Sequence, residues 1–443
     1  MLPDLPKLRD RFVAYLEGLV SQRRTRIILA ALATAAHLMM FARAGHVRLD
    51  IPFNSNPGER PYYSNIDAPA VQGYPRQPHH WSRLITARWD SQIYIGFAVR
   101  GLDACPKNNP PGSVGDFQYL QCGLGWLPAY GAIGGLISKV TTVPEDYSLM
   151  FIAVLCTVII NFLWTSTAIS KRLGKLESFG ALLAFNFFPT AFYMVAPYTE
   201  SITLVLCLTG FVLLCSDRWF LASVAVGAAT AFRATAAGFT LGLCFAAVYV
   251  AWRRRREKAE KWWWPLTAIP LSGWGMAMQM LVLKIMVGTA FAYLRARHAF
   301  GDYNDYSRLV DPEFLLRGFT AQHMDSVMLI GSIGIVALMG RELFRRLRAE
   351  ELIYLFVAAV FCLVFSIAAL HEYWGLNRYF LLCIPVFLCG GLMMRKHPVA
   401  FVLWLLLCAM IYWHVELCSY ISHGNPQVCP CLGRFEFGMP FQS

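Results

Sequence analysis

Apolar runs recur from residue 26 to residue 417, and this recurrence limits the chain's folding options more than any other feature. A helix crossing the hydrocarbon needs about 20 mostly apolar residues, and in a bilayer its backbone groups must be satisfied within the segment. Of the 443 residues 57% are hydrophobic and 15% charged, against about 25% charged in ordinary soluble domains. The expected fold is an all-α polytopic membrane protein, a bundle of about 11 transmembrane helices with external juxtamembrane helices in the first long loop.

Spans are predicted near residues 26–43, 148–169, 178–196, 199–216, 219–233, 235–251, 265–286, 326–341, 352–370, 379–394 and 399–417. Residues 1–25 form a cytoplasmic N-terminal segment, 26–417 the transmembrane domain, and 418–443 an external tail. The first run follows a long basic segment ending in QRRTR and reads as an uncleaved anchor. Lys171, Arg172 and Lys175 follow the second span, and Arg253 to Arg256 the sixth. Arg341, Arg345, Arg346 and Arg348 follow the eighth, and Arg395 and Lys396 the tenth. All of these face the cytoplasm if 124–139, GWLPAYGAIGGLISKV, is a partial or juxtamembrane helix. The long loops 44–123 and 287–325, and the short segments 196–199 and 371–378, then share the non-cytoplasmic side.

Most of the +12 net charge sits in these clusters, where it sets topology, so no nucleic-acid partner is expected. No GxxxxGK[ST] loop, GxGxxG turn, GxSxG elbow or HExxH helix occurs, which removes support for an ATP-driven pump, a Rossmann enzyme, an elbow hydrolase and a zinc protease. The thirteen cysteines are too scattered for a metal site, and neither a metal nor another cofactor is expected. Cys105 and Cys122 share one polar loop; if that loop faces outside, they are candidates for a disulfide.

Four constellations fall on the external side. In ITARWDSQIYIGFAVRGL, Trp89, Ile93 and Phe97 recur every four residues, predicting a short helix on the membrane surface with Asp90 near its start, beside Arg88. A carboxylate there is either a solvated interfacial charge or a placed acid or base. In FFPTAFYMVAPYTES an apolar helix breaks at Pro197 and presents Tyr198, Thr199, Glu200 and Ser201. Thr199 or Ser201 is a candidate cap for the next helix, with Glu200 favouring its dipole. In ATAFRATAAGF, Arg233 reads as a structural pair, a snorkelling side chain or a phosphate clamp. HEYWGLNRYFLL crowds His371, Glu372, Asn377, Arg378 and Tyr379 between two apolar runs, as a solvated loop or as a surface for sugar stacking and phosphate binding. Asp302, Tyr303, Asp305 and Asp311 form an acidic loop without complete calcium-loop spacing.

These stretches, in this order, resemble the GPI-anchor second mannosyltransferase (PIG-V-like) family and its bacterial relatives, within the GT-C class of membrane glycosyltransferases. RWDSQIYIGFAVRG is similar to the family's Trp-Asp segment, and GWLPAYGAI sits where the family has a Phe-Pro-rich one. FFPTAFYMVAPYTESITLVL, AFRATAAG and LNRYFLLCIPVF resemble its Pro-Ala-Ser…Tyr-Ser-Glu-Ser, Arg-Ser/Pro-x-Gly and late Arg-Tyr elements. The resemblance covers roughly residues 85–390 through short motifs.

It implies a GT-C-like bundle and an inverting hexosyltransferase. The donor is a polyprenyl- or dolichyl-phosphate sugar, most simply mannose, and the acceptor is lipid- or glycan-linked. Asp90 would be the catalytic base. Arg88, Trp89, Tyr198, Glu200, Arg233, His371, Glu372, Arg378 and Tyr379 would bind substrate, with the two arginines 233 and 378 on the lipid phosphate. The alternatives are a transferase of another lipid-linked sugar and a lipid or sugar transporter or flippase. External loops without an Asn-x-Ser/Thr site favour a bacterial plasma membrane over the endoplasmic reticulum.

Overall fold

The computed structural model describes residues 21–47, 90–299 apart from Ala104, 306–369 apart from Gln322, and 376–413, with isolated positions before residue 21 and Leu417. Every element among the described residues is helical. In chain order they are α1 (Arg23–Val47), α2 (Asp90–Arg100), α3 (Ser113–Gln121), α4 (Ala129–Thr141), α5 (Glu145–Trp164) and α6 (Thr167–Leu173). They continue with α7 (Lys175–Asn186), α8 (Thr199–Cys215), α9 (Trp219–Ala229), α10 (Ala237–Arg256), α11 (Trp274–Val287) and α12 (Ala292–Ala299). The last are α13 (Pro312–Ala321), α14 (His323–Arg346), α15 (Ala349–Ala369), α16 (Leu376–Phe380), α17 (Ile384–Lys396) and α18 (Pro398–Ile411).

Several long apolar helices make this a membrane protein. Five are long and apolar enough to cross a bilayer: Arg24–Arg43, Glu145–Leu173, Ala234–Arg256, Asp325–Arg346 and Ala349–Ala368. The count becomes six if α11 and α12, bent by 85°, act as one broken span. The other predicted spans are shorter helices, so the expected eleven full-length helices are not what forms. Proline and glycine account for the difference. Hydropathy continues through residues 187–198, but α7 stops at Asn186 ahead of Pro189, and only a short 3-10 turn, Ala191–Met194, precedes Pro197. Proline donates no N–H and disfavours a helical conformation in the residue before it. This irregular stretch is buried from Phe188 to Tyr198 except Tyr193, which fits the rule that non-helical backbone at membrane depth is covered by protein.

Small residues set the closest helix crossings, as expected where lipid and side chain are equally apolar. On α17, a Cβ added to Gly391 would collide with the Glu177 carbonyl oxygen of α7. That obstacle is backbone, which no rotamer change moves. Gly391→Val is therefore expected to remove most of the monodisperse, detergent-stable protein on size exclusion; a wild-type yield would show that the two helices can separate without cost.

Glycines also settle the position of α2. It packs on α4, where a Cβ at Gly131 or Gly135 would strike backbone of Tyr94 or Ala98. Eight of its residues, Asp90 and Phe97 among them, are buried. The expected helix on a membrane surface is instead encased in protein, and Asp90 is not a solvated charge.

A buried polar seam holds α1 to the bundle. His37 Nε2 meets Asn186 Oδ1 at 2.9 Å, Asn186 donates to Asn161 Oδ1 at 2.9 Å, and Asn161 donates to Thr34 Oγ1 at 3.0 Å.

The bundle has two chemically different ends. At one, basic helix termini meet carboxylates: Arg172 and Arg348 meet Glu351, Arg346 and Arg395 meet Glu177, Lys396 meets Glu342, and Arg253 meets Glu350. Helices α8 and α10 end there, and α15 begins there. The opposite end carries the start of α8, the start of α10 and, past the end of α15, the short helix α16.

Candidate functional site

At this second end, chain segments far apart in sequence meet in one buried ion network. Asp90 is the first residue of α2, and Glu200 lies in the first turn of α8. Arg233 has extended backbone between α9 and α10, while Arg378 sits in α16. Arg378 Nη2 pairs with Asp90 Oδ2 at 2.7 Å, and its Nε pairs with Glu200 Oε1. Arg233 Nη1 reaches the same Glu200 oxygen at 2.8 Å. Two guanidiniums thus bracket one carboxylate, and the second carboxylate holds the outer face of Arg378.

Burial makes the arrangement consequential. Glu200 has no exposed surface, and Asp90 and Arg233 are each 8% exposed. An isolated buried charge costs several kcal/mol, and removing one member of a buried pair costs about 3–5 kcal/mol. With two positive and two negative groups the network is neutral. Burial alone pulls the Arg378 pKa down, but Glu200 and Asp90 outweigh it and hold the guanidinium protonated well above its ordinary range. Glu200 Oε2 has no hydrogen-bond partner among the described residues.

Aromatic rings form the walls. The Arg233 guanidinium carbon lies 4.7 Å from the Tyr379 ring centroid, and that of Arg378 lies 5.0 Å from Tyr198 and 5.3 Å from Tyr193. Cation–π contact of this kind stabilises a desolvated guanidinium without consuming its donors. The α16 turn is itself pinned: Asp325 Oδ1 accepts from the Asn377 N–H at 2.8 Å, and Thr190 donates to the Asn377 carbonyl at 2.9 Å.

Of the residues singled out in the sequence, Asp90, Tyr198, Glu200, Arg233, Arg378 and Tyr379 come together here. Arg88, Trp89, His371 and Glu372 lie outside the described residues, as do Asp302, Tyr303 and Asp305. Thr199 does not cap α8; Tyr198 is the N-cap and makes no side-chain cap bond. Thr199 Oγ1 instead accepts from Arg233 Nη1 at 3.4 Å and lies 3.4 Å from the Tyr94 hydroxyl. Tyr94 is the member of the site that residue-type reasoning overlooked. Its spacing was the available signal, because Tyr94 is four residues from Asp90 and so shares its helix face. Burial, with Asp90 and Glu200 nearby, pushes its phenol upward, so it remains a neutral hydrogen-bonding group.

Cys105 and Cys122 are disulfide-bonded, with Cα atoms 5.2 Å apart, and tie the loop after α2 to the end of α3. A second tie is Arg295 of α12, which pairs with Asp116 of α3 at 2.5 Å and donates to the Asn109 carbonyl at 3.0 Å. Closing a loop of sequence separation 17 restricts the unfolded chain by about 3 kcal/mol. Cys105→Ser/Cys122→Ser is expected to lower the unfolding midpoint by several degrees, read by intrinsic fluorescence. Dithiothreitol is expected to lower the wild type likewise while leaving the variant unmoved.

Among the described residues no group of three or more His, Cys, Asp or Glu side chains is placed to hold a metal ion. No family model, curated protein or solved structure matches this chain.

Proposed function

We propose that the protein is a membrane glycosyltransferase. It transfers a sugar, mannose in the simplest case, from a polyprenyl-phosphate donor to a lipid- or glycan-linked acceptor on the non-cytoplasmic face. The observation that carries this reading is the paired-arginine network. Arg233 and Arg378 converge on a single carboxylate oxygen, a spacing that also suits the non-bridging oxygens of a phosphate. A polyprenyl tail stays in the bilayer while its sugar phosphate reaches the end of the bundle opposite the basic clusters. Positive termini favour the cytoplasmic side, so the site faces the other way.

In this mechanism the acceptor hydroxyl attacks the anomeric carbon, the bond from that carbon to the phosphate oxygen breaks, and the configuration inverts. Asp90 accepts the hydroxyl proton. Arg378 and Arg233 take up the charge that develops on the departing lipid phosphate. Donor binding also draws Arg378 away from Asp90, which frees the carboxylate to act as base at the moment substrate is present. Glu200 keeps the two guanidiniums together until the phosphate arrives, and Tyr198 and Tyr379 offer rings to the sugar.

A second reading, a lipid transporter, draws on the 85° break between α11 and α12, since broken helices line transport sites. The test uses purified protein in nanodiscs with radiolabelled polyprenyl-phosphate mannose and a membrane-lipid and glycan extract. Transfer of label to a new product supports the transferase. Unchanged donor crossing to the opposite leaflet of proteoliposomes supports the transporter, and donors carrying other sugars extend the panel.

A further inference from the structure

The last turn of α10 and the turn after it read WRRRREKAEKWWW, residues 252–264, with four arginines and two lysines against two glutamates, a net charge of +4. Elsewhere at this end of the bundle several basic side chains are met by carboxylates: Arg172 and Arg348 by Glu351, Arg346 and Arg395 by Glu177, and Lys396 by Glu342. Here only Arg253 is answered, by Glu257 at 3.9 Å and Glu350 at 3.6 Å. Arg254, Arg255, Arg256, Lys258 and Lys261 make no ion pair among the described residues.

Two of these side chains have aromatic support instead. The Arg256 guanidinium carbon lies 3.9 Å from the Trp252 ring centroid, and that of Arg255 lies 5.3 Å from Trp262. A guanidinium stacked on a ring keeps its N–H fork free for an oxyanion. Beside them Trp252, Trp263 and Trp264 are 50%, 48% and 42% exposed. Indoles at the end of a membrane-spanning helix settle at headgroup level, where one edge is apolar and the other wet. Unanswered positive charge and half-exposed indoles therefore occupy the same depth, that of lipid phosphates.

We infer that residues 252–264 form a binding surface for anionic phospholipid headgroups in the leaflet that faces the basic end of the bundle. The partner is a lipid because the same short turn presents both chemistries. The rings enter the acyl boundary and carry the forks down to the phosphates, which a soluble polyanion does not reach in that way. Each basic residue near an anionic surface adds to the attraction, so five unpaired ones give marked selectivity even after screening by salt. The surface is independent of the chemistry proposed at the opposite end.

The experiment uses the full-length protein in nanodiscs and spin-labelled phosphatidylglycerol and phosphatidylcholine as probes, comparing the motionally restricted fraction of each. The wild type is expected to prefer phosphatidylglycerol several-fold, and 0.5 M salt is expected to erase most of that preference. The variant Arg254→Gln/Arg255→Gln/Arg256→Gln/Lys258→Gln/Lys261→Gln keeps Arg253 and its partner Glu350; its preference is expected to fall close to one. If that variant does not fold, the salt titration of the wild type still decides the matter. Equal association of the two lipids with the wild type, or full preference retained by the folded variant, would overturn the inference. So would binding of a labelled oligonucleotide in phosphatidylcholine discs that the variant loses, without any lipid preference.

Discussion

Arg378→Gln is expected to lower the unfolding midpoint more than any other single change at the network and, on the function proposed above, to remove donor binding at the same time. Arg378 is the one group that touches both carboxylates. Without it the buried network holds Asp90, Glu200 and Arg233, and its charge goes from zero to −1. Breaking a buried network by deleting one member costs about 3–5 kcal/mol, which includes the desolvation of what is left behind. Arg378→Lys retains the charge but not the planar fork, so one amine must choose between two carboxylates; its midpoint falls between wild type and the Gln variant. The informative variant is the double change Arg378→Gln/Glu200→Gln, which leaves Asp90 and Arg233 and restores neutrality. It is expected to be more stable than the sum of the two single losses predicts, with a coupling of about 1–3 kcal/mol. Midpoints of the wild type, the two single variants and the double variant, measured in one lipid at one ionic strength, close the cycle. An Arg378→Gln midpoint within a degree of wild type, with no rescue in the double variant, would mean that these four side chains do not act as a unit.

The same network shows how far residue patterns reach. Hydropathy located the apolar segments because burial in lipid is a property of composition, which any window average preserves. It overestimated span length at residues 178–196 because an average does not register that Pro189 and Pro197 interrupt the hydrogen-bond ladder while the side chains stay apolar. The basic clusters share one end of the bundle, a placement that positive-inside bias made readable from sequence. It followed that Asp90, Glu200, Arg233 and Arg378 share the other end. What sequence did not disclose is who pairs with whom. Asp90 and Arg378 are 288 positions apart, and nothing local in RWDSQ or LNRYF specifies that they meet. Nor does RWDSQIYIGFAVRG reveal that α2 is enclosed, because the cause lies in Gly131 and Gly135 of another helix. Pairing and enclosure are properties of the packed state, and they decide whether Asp90 is a surface charge or a held one.

Two carboxylates in one network invite the question of which does the chemistry, and their different pairing predicts opposite kinetic signatures. Asp90→Asn keeps the size of the side chain and still offers Arg378 an amide oxygen. Arg378 also keeps Glu200, so the fold survives. What disappears is the proposed base, and turnover is expected to fall by about 10²–10⁴-fold with donor affinity little weakened. Glu200→Gln acts on the other side of the balance. Under the proposed mechanism the donor phosphate has to displace Glu200 from between the two guanidiniums that hold it. Once Glu200 is a neutral amide, Arg233 and Arg378 carry charge that only the incoming phosphate fully answers. Donor binding is expected to tighten, by about tenfold for each 1.4 kcal/mol of competition removed, and Asp90 remains in place to take the proton. Because the freed guanidiniums answer the bound phosphate and the charge that develops on it alike, kcat/KM is expected to rise with affinity while kcat changes little. Binding of a non-transferable polyprenyl-phosphate analogue, measured beside single-turnover transfer, separates the two roles. Weaker analogue binding in Glu200→Gln would make Glu200 a donor ligand and not a placeholder, and unchanged transfer by a well-folded Asp90→Asn protein would move the base elsewhere in the site.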